Sequence, residues 1–208
     1  MTEKHKVPIP INRLEAFSDG VIAIIITLMI LEIKIPEVSD GASAGEIWKQ
    51  WFNVLPSLLS YVLSFIIIGV LWVNHHQFFH QLKHLDKKLL WYNLYLLFWM
   101  CVLPVSTAFL GRHIQMPEAT AVYGFNMFMV ALAFALMREY VHRSEHLLIE
   151  NLSQAMRKKL RSKIMITVGL YFLSIFTGYI SIYIPIAIFV LIIVIYFMPQ
   201  DIVLEKKV

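Results

Sequence analysis

The chain has 208 residues, a formal net charge of +4 and 59% hydrophobic residues, with a mean hydropathy of +0.68. Soluble domains run nearer about 45–50% apolar, so this excess cannot be hidden inside one water-facing globule, and its clustering into long runs is what a bilayer requires. A pI near 9.1 would point to nucleic acid on a soluble protein, but here the basic residues sit between apolar runs, where membrane topology accounts for them.

About 20 apolar residues cross a hydrocarbon core of roughly 30 Å. The first span is predicted over 14–33, ending before Pro36. A polar stretch from Glu37 to Gln50 follows, with Trp48 and Trp51 placed as interface anchors. From Gln50 to Leu82 there is no Asp, Glu, Lys or Arg, which gives a second span over 54–79. The third covers 89–110 and carries Pro104, an expected kink. The fourth covers 119–137.

From Ile164 to Gln200 formal charges are again absent, a length that suits two spans joined by a tight turn near Gly178–Pro185. These are placed at 161–178, the shortest, and 181–198, with Pro185 in a first helical turn and Pro199 as the stop. The connector 138–163 carries both charge signs, with leucines at helical spacing over Glu139–Ser162. It is expected to lie as an amphipathic helix on the cytoplasmic lipid surface, or else as a solvated loop. The expectation is thus a single all-α domain, residues 1–208, with six transmembrane helices.

With six spans, all of the 18 Lys and Arg except Lys34, Lys49 and Arg112 fall on one side. The positive-inside rule puts that side, with both termini, in the cytoplasm. The polar residues 1–13 and the long run after them do not read as a cleavable signal. Cys101, the one cysteine, lies in an apolar run and can form no intrachain disulfide.

The first span carries the most information. It opens Arg13-Leu14-Glu15-Ala16-Phe17-Ser18-Asp19-Gly20 before an isoleucine-rich run. Asp19 stands roughly 9 Å further along the axis than Arg13, partly at membrane depth, and a carboxylate there needs a cation or hydrogen-bond donors. Six residues apart, the two lie on different faces of the helix, so Asp19 is expected to pair with a neighbouring helix or subunit. The nearest candidates at the same height are His75 and His76, in Trp72-Val73-Asn74-His75-His76-Gln77-Phe78-Phe79. Such a contact would serve as a structural latch, or as a gating or proton-sensing element.

Arg13, Phe17, Gly20, Ile24, Thr27 and Leu31 form one heptad-like stripe, with Leu28 on its edge. Helix–helix packing produces such stripes. So does a narrow apolar constriction of the kind that gates by dewetting, and spacing does not separate the two.

Two patterns carry less. Thr167-Val168-Gly169-Leu170-Tyr171 lacks the Tyr-Gly ending of a carbonyl selectivity filter and has no preceding pore helix. His76, His80 and His84 have a spacing that could hold a metal, but no cysteine or HExxH motif completes a site. They are read as a histidine-rich helix end, and no metal is expected. No nucleophile–base set, P-loop or dinucleotide fingerprint occurs, so neither an enzyme nor a cofactor is expected.

The run Arg13-x-x-x-Phe17-Ser18-Asp19-Gly20, the isoleucine-rich helix closing on Leu31-Glu32, and Trp72 with Asn74-His75-His76-Gln77-Phe78-Phe79 resemble the transmembrane protein 175 family of potassium channels. The six-span length matches its prokaryotic members. The resemblance implies a homotetramer in the plasma (inner) membrane, its central pore lined by the first helix, passing potassium and other large alkali cations with modest selectivity. It places the apolar constriction at Ile24, with Thr27 and Leu31 as the next layers outward and potassium passing at all three; Leu28 belongs to the same lining. It further implies that Arg13, Phe17, Ser18 and Asp19 form the motif at the cytoplasmic end, where the Arg and Asp meet a second-helix histidine, His75 or His76. Glu32 and Glu37, at the outer end, would either raise the local cation concentration or simply sit at the interface. The expected partners are other copies of the chain and lipid, with no nucleic acid and no small-molecule substrate beyond ions. The rival reading is a proton-coupled transporter built on Asp19, His75 and His76, since ionisable groups within the membrane often relay protons.

Overall fold

A computed structural model describes residues 10–37, 39–148 and 154–197. Among them the chain is helical, with one isolated bridge between Leu82 and Leu148 in place of any strand. Seven α-helices follow in order: α1 Ile11–Leu31, α2 Ala44–Phe79, α3 Lys87–Cys101, α4 Leu103–Arg112, α5 Pro117–Arg143, α6 Gln154–Thr177 and α7 Tyr183–Phe197. A single 3-10 turn, Glu145–Leu147, follows α5.

Helices α3 and α4 are two halves of one span, Lys87–Arg112, so the described residues form five helical spans long and apolar enough to cross a bilayer and one shorter apolar helix, α7. The break falls at Val102, two residues before Pro104, whose ring removes one backbone donor. Within a bilayer a freed carbonyl must find a new partner. At the break the Val102 amide reaches back to the Met100 and Trp99 carbonyls, and Asn126 Nδ2 of α5 donates to the Trp99 carbonyl as well, at 3.0 Å. The Ser106 hydroxyl lies 3.1 Å from both the Leu103 carbonyl and Asn126 Oδ1, which closes the patch.

The helix ends depart from the expected spans wherever charged residues flank an apolar run. Helix α2 begins at Ala44 rather than near 54, because Ser43 and Glu46 form a reciprocal capping box. At 36 residues it is about 54 Å long, well beyond the hydrocarbon core. Helix α5 continues to Arg143 and α6 starts at Gln154. The separate amphipathic helix expected over Glu139–Ser162 is therefore absent; its two ends prolong the spans on either side, and residues 149–153 lie outside the described residues. The fifth crossing is consequently a 24-residue helix rather than the shortest. Among the described residues the shortest is α7, with 15. Pro185 sits in its first turn as expected; Pro199 lies outside the described residues.

The extension of α5 carries Arg138 into a buried position, its guanidinium 5.4 Å from the ring centroids of both Phe78 and Phe134. The link between α2 and α3 is fixed against the same end of α5. Asp86 caps α3 through the Leu89 amide at 2.8 Å, and its other oxygen accepts from the Tyr140 hydroxyl. Lys83 N–H donates to the Leu147 carbonyl at 2.7 Å.

Buried hydroxyls tie the bundle at its middle. Thr107 of α4 donates to Ser64 of α2 at 2.9 Å, and Ser64 lies 3.0 Å from the hydroxyl of the fully buried Tyr123 on α5. Near the end of α4 the backbones close further. A Cβ on Gly111 would lie 2.6 Å from the Ser57 Cα of α2, a backbone atom that cannot swing aside. Gly169, by contrast, has nothing within 4 Å of such a Cβ. Gly111→Ala is therefore expected to cost about 1–3 kcal/mol of packing strain. Thermal unfolding of the detergent-solubilised protein should show a lower midpoint for Gly111→Ala and an equal or higher one for Gly169→Ala, which sits inside α6 with room for the methyl group.

Candidate functional site

Helix α1 divides sharply into two faces. Leu14, Ser18, Ile22, Ile25 and Met29 are buried at spacings of four, four, three and four, and pack on α2, α3 and α4. The opposite face holds Arg13, Phe17, Gly20, Ile24, Thr27, Leu28 and Leu31, all exposed in the single chain, with Ile24 at 59% and Leu31 at 76%. The stripe anticipated from spacing is thus one continuous face, and none of the described helices covers it.

The buried face is held by polar contacts as well as apolar ones. The Ser18 hydroxyl donates to the Leu14 carbonyl one turn back at 2.8 Å, and its oxygen accepts from Asn93 Nδ2 of α3 at 2.9 Å. Asn93 Oδ1 in turn lies 2.9 Å from His75 Nε2 of α2. Donors and acceptors alternate without conflict if His75 donates from Nε2. One three-residue chain therefore joins α1, α3 and α2 at a point where Ser18 and Asn93 have no exposure and His75 has 1%.

The second set of contacts corrects the expected pairing. The hydrogen bonds and ion pairs of the two histidines go to residues other than Arg13 and Asp19. Asp19 Oδ1 accepts from the Trp72 indole at 2.9 Å, while His76 Nδ1 lies 2.9 Å from Glu15 Oε1. The reason is helical geometry. Helices α1 and α2 run antiparallel, so Glu15 and Asp19, one turn apart, face His76 and Trp72, also one turn apart. His75 is rotated about 100° further round α2, away from α1's acidic edge and toward α3. Asp19 does pair with a neighbouring helix as expected, through an indole rather than an imidazole. Arg13 stays exposed on the uncovered face.

Further along, Arg112 Nη2 of α4 donates to the Glu32 carboxylate and the Glu32 carbonyl, both at 3.2 Å. Glu32 is thereby neutralised locally by Arg112; Glu37 remains exposed. Thr27 turns its hydroxyl hydrogen to its own helix, 2.9 Å from the Ile24 carbonyl, so its oxygen lone pairs remain available on the uncovered face. Of the residues in these hydrogen-bonded contacts, Asn93 escaped sequence reasoning, although a lone amide in the apolar run Leu89–Cys101 was a signal for it. Trp72 was read with its motif but not as the partner of Asp19.

Removing Asn93 strips two buried groups of a partner at once. Leaving a buried donor or acceptor unpaired costs about 1–3 kcal/mol, so Asn93→Leu is expected to destabilise the protein by at least that much in reversible detergent unfolding. Asn93→Gln should recover only part of the loss, because the longer amide cannot meet Ser18 and His75 with the same geometry.

The family described as endosomal/lysosomal potassium channel TMEM175 matches residues 13–104. A protein of Chryseobacterium sp. named a potassium channel is 38% identical, the match covering 91% of this chain and 93% of that one. Another of that name, from Streptomyces collinus, is 37% identical, with 78% of this chain and 83% of that one covered. The crystal structure of a lysosomal potassium-selective channel TMEM175 homologue from Chamaesiphon minutus superposes with a TM-score of 0.78 at 27% identity, over 89% of this chain and 95% of that one. An all-helical membrane fold, the polar motif at the start of α1 and near full-length similarity converge: the chain belongs to the TMEM175 family.

Proposed function

We propose that the chain is one subunit of a potassium-permeable cation channel, a homotetramer in which four α1 helices surround the ion path. The observation that carries this reading is the uncovered face of α1, whose back is fastened by hydrogen bonds while Arg13, Gly20, Ile24, Thr27 and Leu31 project away from the protomer. Four copies of Ile24 would narrow the path with branched apolar side chains, a barrier that hydrated ions cross with difficulty. Thr27, with its hydrogen bonded inward, would offer oxygen atoms to a cation passing that ring. Leu28 and Leu31 would complete the lining beyond it. The relatives named potassium channels support potassium as the permeant ion.

Conduction in this reading is passive, with no catalytic step and no cofactor. The charge distribution supports a multi-pass protein of the plasma (inner) membrane with both termini cytoplasmic. With Glu32 paired to Arg112, outer cation attraction would rest on Glu37. The proton-coupled alternative loses its premise. Asp19 is hydrogen-bonded to Trp72 and His75 to Asn93, and no hydrogen bond joins Asp19 to a histidine among the described residues. The break in the α3–α4 span is closed by Asn126 and Ser106 and presents no charged group.

Reconstituted in liposomes, the protein should pass potassium down its gradient without saturation and without a proton gradient. Ile24→Asn should wet the constriction, raise the conductance and reduce the preference for potassium over sodium. An unchanged current and selectivity in Ile24→Asn would contradict the assignment of the pore.

A further inference from the structure

The junction of α1 and α2 holds a second set of groups that the conduction path does not use. Helix α2 ends at Phe79, with His80 as its C-cap. His76 and His80, one turn apart, bring their rings edge to face at 4.4 Å, with Nε2 atoms 3.0 Å apart. Glu15 reaches the pair from α1, with Oε1 2.9 Å from His76 Nδ1. Each of the three residues offers one ligand atom, and these atoms all lie within 4.8 Å of one another. His84, the third member of the sequence pattern, drops out because the helix ends before it. Glu15 replaces it from another helix, which spacing along one chain segment does not reveal.

We propose that Glu15, His76 and His80 bind a divalent transition-metal cation of the zinc class, clamping the start of α1 to the end of α2. Two imidazole nitrogens and one carboxylate oxygen form a ligand set that suits zinc. It suits magnesium and calcium poorly, since those cations prefer oxygen ligands throughout. Tetrahedral zinc bonds place ligand atoms about 3.4 Å apart, so a cluster whose ligand atoms lie within 4.8 Å would draw together around the ion.

Two features prepare the site. Glu15 Oε1 and His76 Nδ1 are both buried from solvent, yet neither makes an aligned hydrogen bond, despite their proximity. A cation would satisfy the carboxylate oxygen directly, and an imidazole nitrogen with it. The partial negative charge at the C-terminus of α2 adds to the attraction. The His76 ring is also held in place: the Trp72 indole stacks on it at 5.9 Å and 21°, and that indole is tied to Asp19. His80 is exposed, which gives an ion its way in.

The test uses the full chain, stripped of metal and embedded in lipid nanodiscs. Zinc chloride is titrated against a chromophoric chelator, and the zinc-induced rise in melting midpoint is recorded alongside. The parent protein should take up one zinc per chain at this cluster. His80→Ala, which removes an exposed side chain, and Glu15→Gln should each weaken binding by at least the roughly 10–100-fold lost on altering even an outer-shell group. Both should abolish the melting shift. His113→Ala, on an exposed histidine after α4, should change neither. A parent protein that takes up no zinc, or His80→Ala and Glu15→Gln variants that match the parent, would overturn the proposal.

Discussion

A helix that borders an ion path must present one face to that path and hold its rotation against three or four neighbours. In lipid this cannot be left to hydrophobicity, since the tails are as apolar as the neighbouring helices. The Ser18–Asn93–His75 chain answers that constraint. It joins α1, α3 and α2 with three side chains that have almost no exposure, at a depth where an unpaired amide or imidazole is costly. Rotating α1 by one residue would break the Ser18 contact and turn Ile22 and Ile25 outward. The azimuth of Ile24 and Thr27 therefore depends on a hydrogen bond on the far side of the helix.

Polar contacts recur at both ends of α1. The Asp19–Trp72 hydrogen bond holds its N-terminal turns to α2, with Glu15 set beside His76, and the Glu32–Arg112 pair holds its other end to α4. Between them the contacts are mainly apolar, through Ile22, Ile25 and Met29, whose sulfur also lies 3.9 Å from the Thr107 hydroxyl. In the proposed channel this arrangement would leave the outer face free to be chosen for its effect on ions, because within the protomer the inner face holds the helix in place. The rest of the bundle serves as the frame: Thr107, Ser64 and Tyr123 lock α4, α2 and α5 together, and Gly111 lets α4 lie against α2.

What could be read from sequence follows from which quantities a sequence encodes. The 3.6-residue period made the stripe of Gly20, Ile24, Thr27 and Leu31 visible, and the structure leaves that face open. Height along an axis was also legible, which is why Asp19 and the 72–79 segment were placed at the same level. Rotation of one helix about another was not, so Trp72 and His76 exchanged roles with the expected histidine contacts. Asn93 belongs to no pattern of its own; its function exists only where three helices meet. Charge runs misled in a different way. Arg138, Glu139 and the basic residues 157–163 suggest a helix lying on the membrane surface, but an α-helix can extend past the hydrocarbon when its charges find partners. Glu139 pairs with Arg143 and Arg161, and Arg138 packs between Phe78 and Phe134.

The central claim is that the open face of α1 borders the route taken by ions, and silver block of a cysteine placed there tests it most directly. Cys101 is the one cysteine in the sequence and is exposed, so Cys101→Ser provides a silent background. In that background Ile24→Cys should lose its potassium flux in liposomes within the dead time of adding micromolar silver, an ion small enough to travel where potassium does. The Cys101→Ser parent should be unaffected. If flux through the Ile24→Cys protein survives silver as the parent's does, Ile24 faces lipid or another subunit's flank, and the account of the pore is contradicted.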